Sequence, residues 1–138
     1  MKYLAIDYGS KRTGLAVCDP TETICSPLGI LDGSKNLIKS ICKIIDDEKI
    51  EAVIIGMPFN MDGTKGPQAQ AVEKFAAELK KNTAVPIDFC DERLSSFAAE
   101  DKFADIDIKA SKKRKPLDAV AAAEILQTFL EMKSSNKQ

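Results

Sequence analysis

The amino-terminal stretch from Tyr3 to Cys18 reads YLAIDYGSKRTGLAVC, and its pattern decides the fold class. It contains two short apolar runs on either side of a turn-rich segment, Gly9–Arg12. A third apolar run follows the turn at Asp19-Pro20-Thr21. Because links this short join strands that lie side by side in opposite directions, we predict an antiparallel meander. Its strands are Tyr3–Asp7, Thr13–Cys18 and Ile24–Leu31.

Downstream of the meander, helices alternate with strands. A first helix is predicted behind an N-cap at Ser34, because apolar residues recur there at helical spacing. These residues are Leu37, Ile38, Ile41, Ile44 and Ile45. The uniformly apolar run Ala52–Gly56 predicts a parallel strand that is covered on both faces. Pro67 opens a second helix, and Val85–Cys90 is the fifth strand.

The last third of the chain adds two helices. A short helix capped by Ser95 or Ser96 extends through Phe103, residues 104–115 form a loop, and Pro116 opens the final helix. The predicted order is βββαβαβαα, an α/β fold with a mixed five-stranded sheet flanked by helices. We expect one domain over residues 1–133 and a polar carboxyl-terminal tail over residues 134–138.

The composition narrows the chemistry that this chain can perform. Its 138 residues carry a formal net charge of −1 and include no histidine. This absence excludes Ser-His-Asp and Cys-His nucleophile systems, and the four cysteines, which form no Cys-x-x-Cys pair, are expected to be free thiols. No apolar run matches a signal-peptide core or a membrane span, which predicts a soluble, cytoplasmic protein with no membrane partner.

Three acids stand where the predicted topology would bring them together. Asp7 ends the first strand, Glu92 follows the fifth, and Asp118 lies at the start of the last helix. Open α/β sheets bind ligands beyond the carboxyl ends of their strands. Since carboxylate oxygens are preferred ligands of Mg²⁺ and Mn²⁺, the pattern predicts a metal-dependent enzyme that acts on phosphate. Each acid also has a structural alternative: Asp7 as acceptor of turn amides, Glu92 as a solvated turn residue, and Asp118 as a helix cap.

Four motifs in sequence order resemble one known family. They are Asp7–Gly14 (DYGSKRTG), Gly56–Thr64 (GMPFNMDGT), Asp91–Ser96 (DERLSS), and Lys113-Arg114-Lys115 followed by Asp118–Ala122 (DAVAA). Together they resemble the YqgF/RuvX family of the ribonuclease H-like superfamily, across nearly the whole chain. The resemblance implies a nuclease that matures the 5′ end of pre-16S ribosomal RNA, with Asp7, Glu92 and Asp118 as metal-binding catalytic acids. Nucleic acid is the expected partner, and ribosome-assembly intermediates are a further expectation for such a nuclease.

Further residues around these acids are candidates for substrate binding or for loop shaping. Basic side chains that would contact a nucleic-acid backbone are Lys11, Arg12, Arg93, Lys112, Lys113, Arg114 and Lys115. Residues that would shape the turns are Gly9, Gly14, Asp62 and Gly63. Arg93 has a second interpretation as the partner of a neighbouring acid, and Asp91 is the acid most easily confused with Glu92.

Several functions remain open at the level of sequence. The leading hypothesis is an endonuclease that uses two Mg²⁺ ions roughly 4 Å apart. The alternatives are a resolvase of Holliday junction DNA, a non-catalytic RNA-binding or transcription antitermination factor, and nucleotide phosphotransfer. The last needs two domains that close on ATP, and a chain of this length supplies one.

Overall fold

A computed structural model of the chain describes residues 1–33, 35–93 and 114–136, without the side chains of 114–118 and 135–136. Over this range the strands and helices follow the predicted alternation. They are β1 (Tyr3–Asp7), β2 (Arg12–Cys18), β3 (Cys25–Asp32), α1 (Leu37–Asp47), β4 (Ala52–Met57), α2 (Pro67–Asn82), β5 (Ile87–Asp91) and α3 (Arg114–Asn136).

The five strands form one mixed sheet in the order β3-β2-β1-β4-β5. β1 pairs antiparallel with β2, and β2 with β3, because the turns between them are too short for a crossover. β4 pairs parallel with β1 and with β5, since α1 and α2 carry the chain back across the sheet. The predicted mixed sheet is therefore confirmed.

Helices cover both faces of the sheet. α1 and α2 pack on the face that carries Leu4 and Ile6 of β1, and α3 packs on the face that carries Tyr3 and Ala5. Every residue of β4 is buried, which is why this strand has no polar positions. Burial of these apolar side chains from water is the main stabilising contribution to the fold.

The direction of α3 follows from two contacts at its ends. Near its carboxyl end, Lys133 Nζ lies 2.8 Å from the hydroxyl of Tyr3, which begins β1. Farther toward its amino end, Ile125 lies against Gly56 near the end of β4, where a Cβ atom would stand 2.6 Å from Ile125 Cδ1. Since β1 and β4 are parallel, α3 runs opposite to both. Its amino end, which includes Asp118, therefore lies toward the edge where β1, β4 and β5 end.

The edge strand β3 is irregular. Consecutive residues Leu15 and Ala16 of β2 pair with Gly29 and Pro27, so Leu28 has no partner across the ladder. This extra residue is a β-bulge, and Pro27 beside it lacks an amide donor. None of the helices formed by the described residues is long and apolar enough to span a membrane.

Some predicted boundaries were wrong. The cap of α1 is Asn36, which adopts the left-handed conformation that asparagine tolerates, whereas the predicted cap, Ser34, lies outside the described residues. α3 begins at Arg114 rather than Pro116, because a proline within a first turn gives up no intrahelical hydrogen bond. It continues to Asn136, past the start of the predicted tail, since no Gly or Pro stops it at Ser134. The predicted helix up to Phe103 and the loop over 104–113 lie outside the described residues.

Candidate active site

Two of the three predicted acids meet at the carboxyl edge of the sheet. Asp7 ends the central strand β1 and, by the alternation of β1, projects to the face covered by α3. Glu92 directly follows β5, and both side chains are half-buried. β4 separates their strands, and its Gly56 leaves room between them: a Cβ atom there would stand 2.9 Å from Glu92 Oε1 and 3.0 Å from Glu92 Cγ. A glycine at this position therefore lets the Glu92 side chain lie across β4.

The two carboxyl groups share a hydrogen bond. Burial raises the pKa of Glu92, and the charge of Asp7, its hydrogen bond and the charge of Asp91 raise it further, to about 8. Two carboxylates this close are not both ionised at low cost unless a positive charge lies between them. The pair therefore holds either a proton or a cation.

Asp91 and Glu92 are neighbours in sequence but have different surroundings. The Arg93 guanidinium binds the Asp91 carboxylate through Nε at 3.1 and 3.0 Å and through Nη2 at 2.7 Å. The Arg93 backbone amide donates to the same carboxylate at 2.9 Å, and these contacts lower the pKa of Asp91. Asp91 is thus the acid of an internal ion pair, and Glu92 is the one that faces Asp7.

Arg93 also holds the loop between β4 and α2. Its Nη1 donates to the Met61 carbonyl at 3.4 Å, and its guanidinium carbon lies 5.4 Å from the centre of the Phe59 ring. From the sequence we predicted that Arg93 contacts nucleic acid, with an ion pair to a neighbouring acid as the alternative. The contacts with Asp91 and with this loop favour the alternative, in which Arg93 positions protein groups.

The glycines and the aspartate predicted to shape loops have distinct local roles. Gly63 has a φ of 88°, and Asp62 accepts hydrogen bonds from the Thr64 amide at 3.0 Å and hydroxyl at 2.6 Å, which lower the pKa of Asp62. Gly9 lies so close to the carbonyl oxygen of Arg12 that a Cβ atom would stand 2.4 Å from it. Gly14 is buried in β2, directly opposite Asp7.

The basic residues predicted at this edge are only partly described. Lys11 and Arg12 are exposed at the start of β2, in the turn that follows Asp7, and Arg12 pairs with Asp32 in the strand register. Arg114 and Lys115 lie in the first turn of α3, with their side chains outside the described range. Lys112 and Lys113 lie outside the described residues altogether.

The third predicted acid lies in the correct element, with its side chain undescribed. Asp118 is in the amino-terminal part of α3, and the helical repeat places its position in line with Ala122 and Ile125, which are buried against the sheet. Among the residues whose side chains are described, no group of three acids, cysteines or histidines is arranged to hold a metal ion. The described part of the site is therefore a pair of carboxylates.

Sequence reasoning missed the role of Gly56. A glycine at the end of an otherwise β-branched and apolar strand indicates close approach of another group, and that signal was present in Ala52–Met57. The residue that approaches Gly56 follows another strand, β5, so only the three-dimensional structure identifies it as Glu92.

Comparisons with known proteins identify the family of the chain. The sequence model of a family described as "RuvX: Holliday junction resolvase" matches residues 1–132. The chain is similar to a protein of Roseiflexus sp. (strain RS-1) named "Putative pre-16S rRNA nuclease", with 39% identity over 94% of each chain. Proteins with the same name from Maridesulfovibrio salexigens and Geobacillus kaustophilus are 38% and 37% identical, covering 94% and 96% of this chain and 98% and 99% of theirs.

Solved structures show the same fold at low sequence identity. Thermus thermophilus RuvC in complex with a Holliday junction substrate superposes with a TM-score of 0.64 and 14% identity over 96% of both chains. The fowlpox virus resolvase in complex with Holliday junction DNA gives a TM-score of 0.59 and 16% identity over 96% of this chain and 98% of that one. These likenesses support the predicted ribonuclease H-like fold.

Proposed function

The chain belongs to the RuvX family, and on this premise we propose that it is a metal-dependent endonuclease that hydrolyses phosphodiester bonds of nucleic acid. Its proposed substrate is the 5′ end of pre-16S rRNA, and its proposed partners are ribosome-assembly intermediates. The observation that carries the proposal is the pair of carboxyl groups, Asp7 and Glu92, in hydrogen-bond contact at the carboxyl edge of the sheet. The names of the similar proteins support the substrate.

The donor set fits a hard divalent cation. Asp7 and Glu92 offer only carboxylate oxygens, the ligands that Mg²⁺ and Mn²⁺ prefer, and a cation would offset their mutual repulsion. Asp118, through the family resemblance, is the proposed third ligand. When bound, the metal would activate water as a nucleophile and stabilise charge on the leaving oxygen. Both carboxyl groups must be ionised to act as ligands.

Basic residues at the same edge have the charge needed to hold the substrate backbone. Lys11 and Arg12 lie in the turn after Asp7, and the run Lys112–Lys115 ends in the first turn of α3, the helix that carries Asp118. The protein as a whole has a net charge of −1, so its attraction for a polyanion must come from such local clusters. Binding should therefore weaken as salt concentration rises.

Amide substitutions of the two acids test the catalytic assignment. Asp7→Asn and Glu92→Gln keep the size of each side chain and remove its charge, so Mg²⁺-dependent cleavage of an RNA with the pre-16S 5′ leader should fall by about a thousandfold or more. Cleavage is measured as single-turnover product formation on a gel, and folding by circular dichroism.

Asp88 provides a matched control on β5. It is exposed, lies four residues before Glu92, and accepts a hydrogen bond from the amide of Phe89 at 2.8 Å. Asp88→Asn should cleave at the parental rate. Undiminished cleavage by purified Asp7→Asn or Glu92→Gln would refute the assignment.

Resolution of Holliday junctions is the second candidate, favoured by the description of the matching family. The chemistry at the acids would be the same, because DNA and RNA share the phosphodiester linkage. The two functions separate in a direct competition between a four-way DNA junction and the pre-16S leader RNA, with Asp7→Asn as the control for contaminating nucleases. Faster, symmetrical cleavage of the junction would favour junction resolution over pre-16S rRNA cleavage as the function.

A further inference from the structure

Met61, in the loop between β4 and α2, is unusually exposed for a large apolar residue. Its side chain is 89% exposed, whereas other exposed large apolar side chains in the described range are less so, for example Met132 at 45%. An apolar side chain left in water forgoes the free energy that burial would provide. Single exposed apolar residues are common on surfaces, so the position of Met61 decides what its exposure means.

The turn that carries Met61 is held by several hydrogen bonds. The Gly63 amide donates to the Asn60 carbonyl at 2.8 Å, and the Asn60 amide donates to the Thr64 carbonyl at 2.9 Å. The Asn60 side-chain amide donates to the Thr64 hydroxyl at 2.9 Å. With the contacts of Asp62 to Thr64, these bonds fix the backbone so that Met61 stays at the tip of the turn.

The same turn follows β4, whose end lies between the ends of β1 and β5, so the chain leaves the sheet there at the edge that carries Asp7 and Glu92. Arg93, the residue after Glu92, donates from Nη1 to the Met61 carbonyl at 3.4 Å. The same nitrogen lies 3.5 Å from where a Cβ atom of Gly63 would stand. The Arg93 side chain thus connects the end of β5, beside Glu92, to the tip of the turn. A substrate whose phosphate lies at the acids would meet this tip.

We propose that Met61 packs against an unstacked nucleobase next to the phosphodiester bond that is cleaved. This inference rests on the proposed nuclease function. The sugar and phosphate of a nucleic acid are polar, so its apolar surface is the faces of the bases, and in a continuous duplex these faces are covered by stacking. The protein should therefore prefer a substrate with an unpaired or branched nucleotide at the cleavage site over a continuous duplex.

Fluorescence of 2-aminopurine, which is quenched by stacking, tests the contact with the base. The probe is an RNA hairpin with a 5′ single-stranded extension that carries 2-aminopurine at successive positions around the junction, and the reference is a continuous duplex of the same sequence. All proteins carry Asp7→Asn so that the probe stays intact. We compare the protein with Asp7→Asn alone with versions that also carry Met61→Ala, Met61→Leu, Met61→Lys or, as the matched control, Met132→Ala.

The expected result is specific to residue 61 and to the unpaired probe. Met61→Ala should weaken hairpin binding by about tenfold, because it removes most of one buried apolar side chain, and should abolish the fluorescence change. Met61→Leu and Met132→Ala should behave as the protein with Asp7→Asn alone, and duplex binding should be unchanged throughout. Met61→Lys should keep affinity through phosphate contact but lose the fluorescence change.

Two other outcomes overturn the inference, and they differ. If the hairpin binds and Met61→Ala changes neither its affinity nor its fluorescence, the base contact is wrong while the proposed nuclease stands. If none of these proteins binds nucleic acid and the chain without Asp7→Asn does not cleave it, the proposed function has failed and the base contact with it.

Discussion

The two ends of the sheet carry opposite arrangements of charged side chains. At the amino end of β1, Lys133 Nζ lies 3.0 Å from Glu22 Oε1, and the terminal amine lies 3.1 Å from Glu22 Oε2. These contacts raise the pKa of Lys133 and lower that of Glu22. At the carboxyl end, Asp7 and Glu92 bring two acids together, and the pKa of Glu92 rises to about 8. The first end pairs opposite charges and favours the folded state, whereas the second opposes folding at neutral pH unless a cation or proton binds.

Among variants that keep both acids, the largest effect is expected from filling the space beside Glu92. In Gly56→Ala the new Cβ atom would stand 2.6 Å from Ile125 Cδ1 and 2.9 Å from Glu92 Oε1, so the carboxyl group must shift away from Asp7. A misplacement of about 1 Å can cost about a hundredfold in rate, and we expect a loss of this order in Mg²⁺-dependent cleavage.

Gly29→Ala is the control for Gly56→Ala. A Cβ atom at Gly29 in β3 would meet nothing within 4 Å, so this variant should cleave normally. Parental activity in Gly56→Ala would show that the position of Glu92 does not limit the reaction.

The next effect is on stability and has a definite sign with pH. In the metal-free folded chain the pKa of Glu92 is about 8, against 4.5 for an unperturbed glutamate. Between these values the folded state binds more protons than the unfolded state, so stability falls as pH rises. Glu92→Gln removes this dependence, and its metal-free melting temperature should exceed the parental one by several degrees at pH 8 and match it near pH 4.5.

With added Mg²⁺, the parental chain should instead have the higher melting temperature of the two. The cation stabilises the parental chain by binding its folded state and has one ligand fewer in Glu92→Gln. Differential scanning fluorimetry at pH 4.5, 6 and 8, with and without Mg²⁺, measures both effects. If the difference in melting temperature between the parental chain and Glu92→Gln stays constant with pH, the proximity of Asp7 and Glu92 does not destabilise the metal-free fold.

The smallest effect is expected at the amino end of β1. Lys133→Met removes the partner of Glu22 and the hydrogen bond to Tyr3 but leaves the terminal amine in place. The ion pair is partly exposed, so the free energy of unfolding should fall by only about 1 kcal/mol. Because the pKa of Glu22 is lowered in the folded chain, its contribution is present at neutral pH and lost as pH falls through its titration.

Urea unfolding at pH 7 and pH 3 measures this loss, and cleavage should be unchanged because the substituted residue lies far from the acids. A loss of cleavage in Lys133→Met would show that the amino end of the sheet is not limited to a role in stability.

Much of the fold could be predicted because each signal was local. Short turns dictated the meander, and the uniformly apolar β4 indicated a strand covered on both faces. Four motifs predicted the family, which the family match confirms. The predicted cap of α1 was wrong because Asn36 begins the helix in the left-handed conformation and without a side-chain cap hydrogen bond, whereas the prediction assumed a side-chain cap.

The candidate site was predictable only in part. The alternation of β1 indicates the face to which Asp7 projects, but the alternation of β5 ends at Asp91, so the sequence could not say which way Glu92 turns. The partner of Arg93 was undecidable for a similar reason, since two acids, Asp91 and Glu92, lie within two residues of it in the sequence.

The irregularity of β3 has a consequence for the behaviour of the protein at high concentration. Among the described strands, β3 pairs only with β2, and an exposed edge of this kind invites another chain to extend the sheet. The bulge at Leu28 twists that edge, and Pro27 removes one of the donors that an incoming strand would need. Replacement of Pro27 by a β-branched residue would therefore favour aggregation.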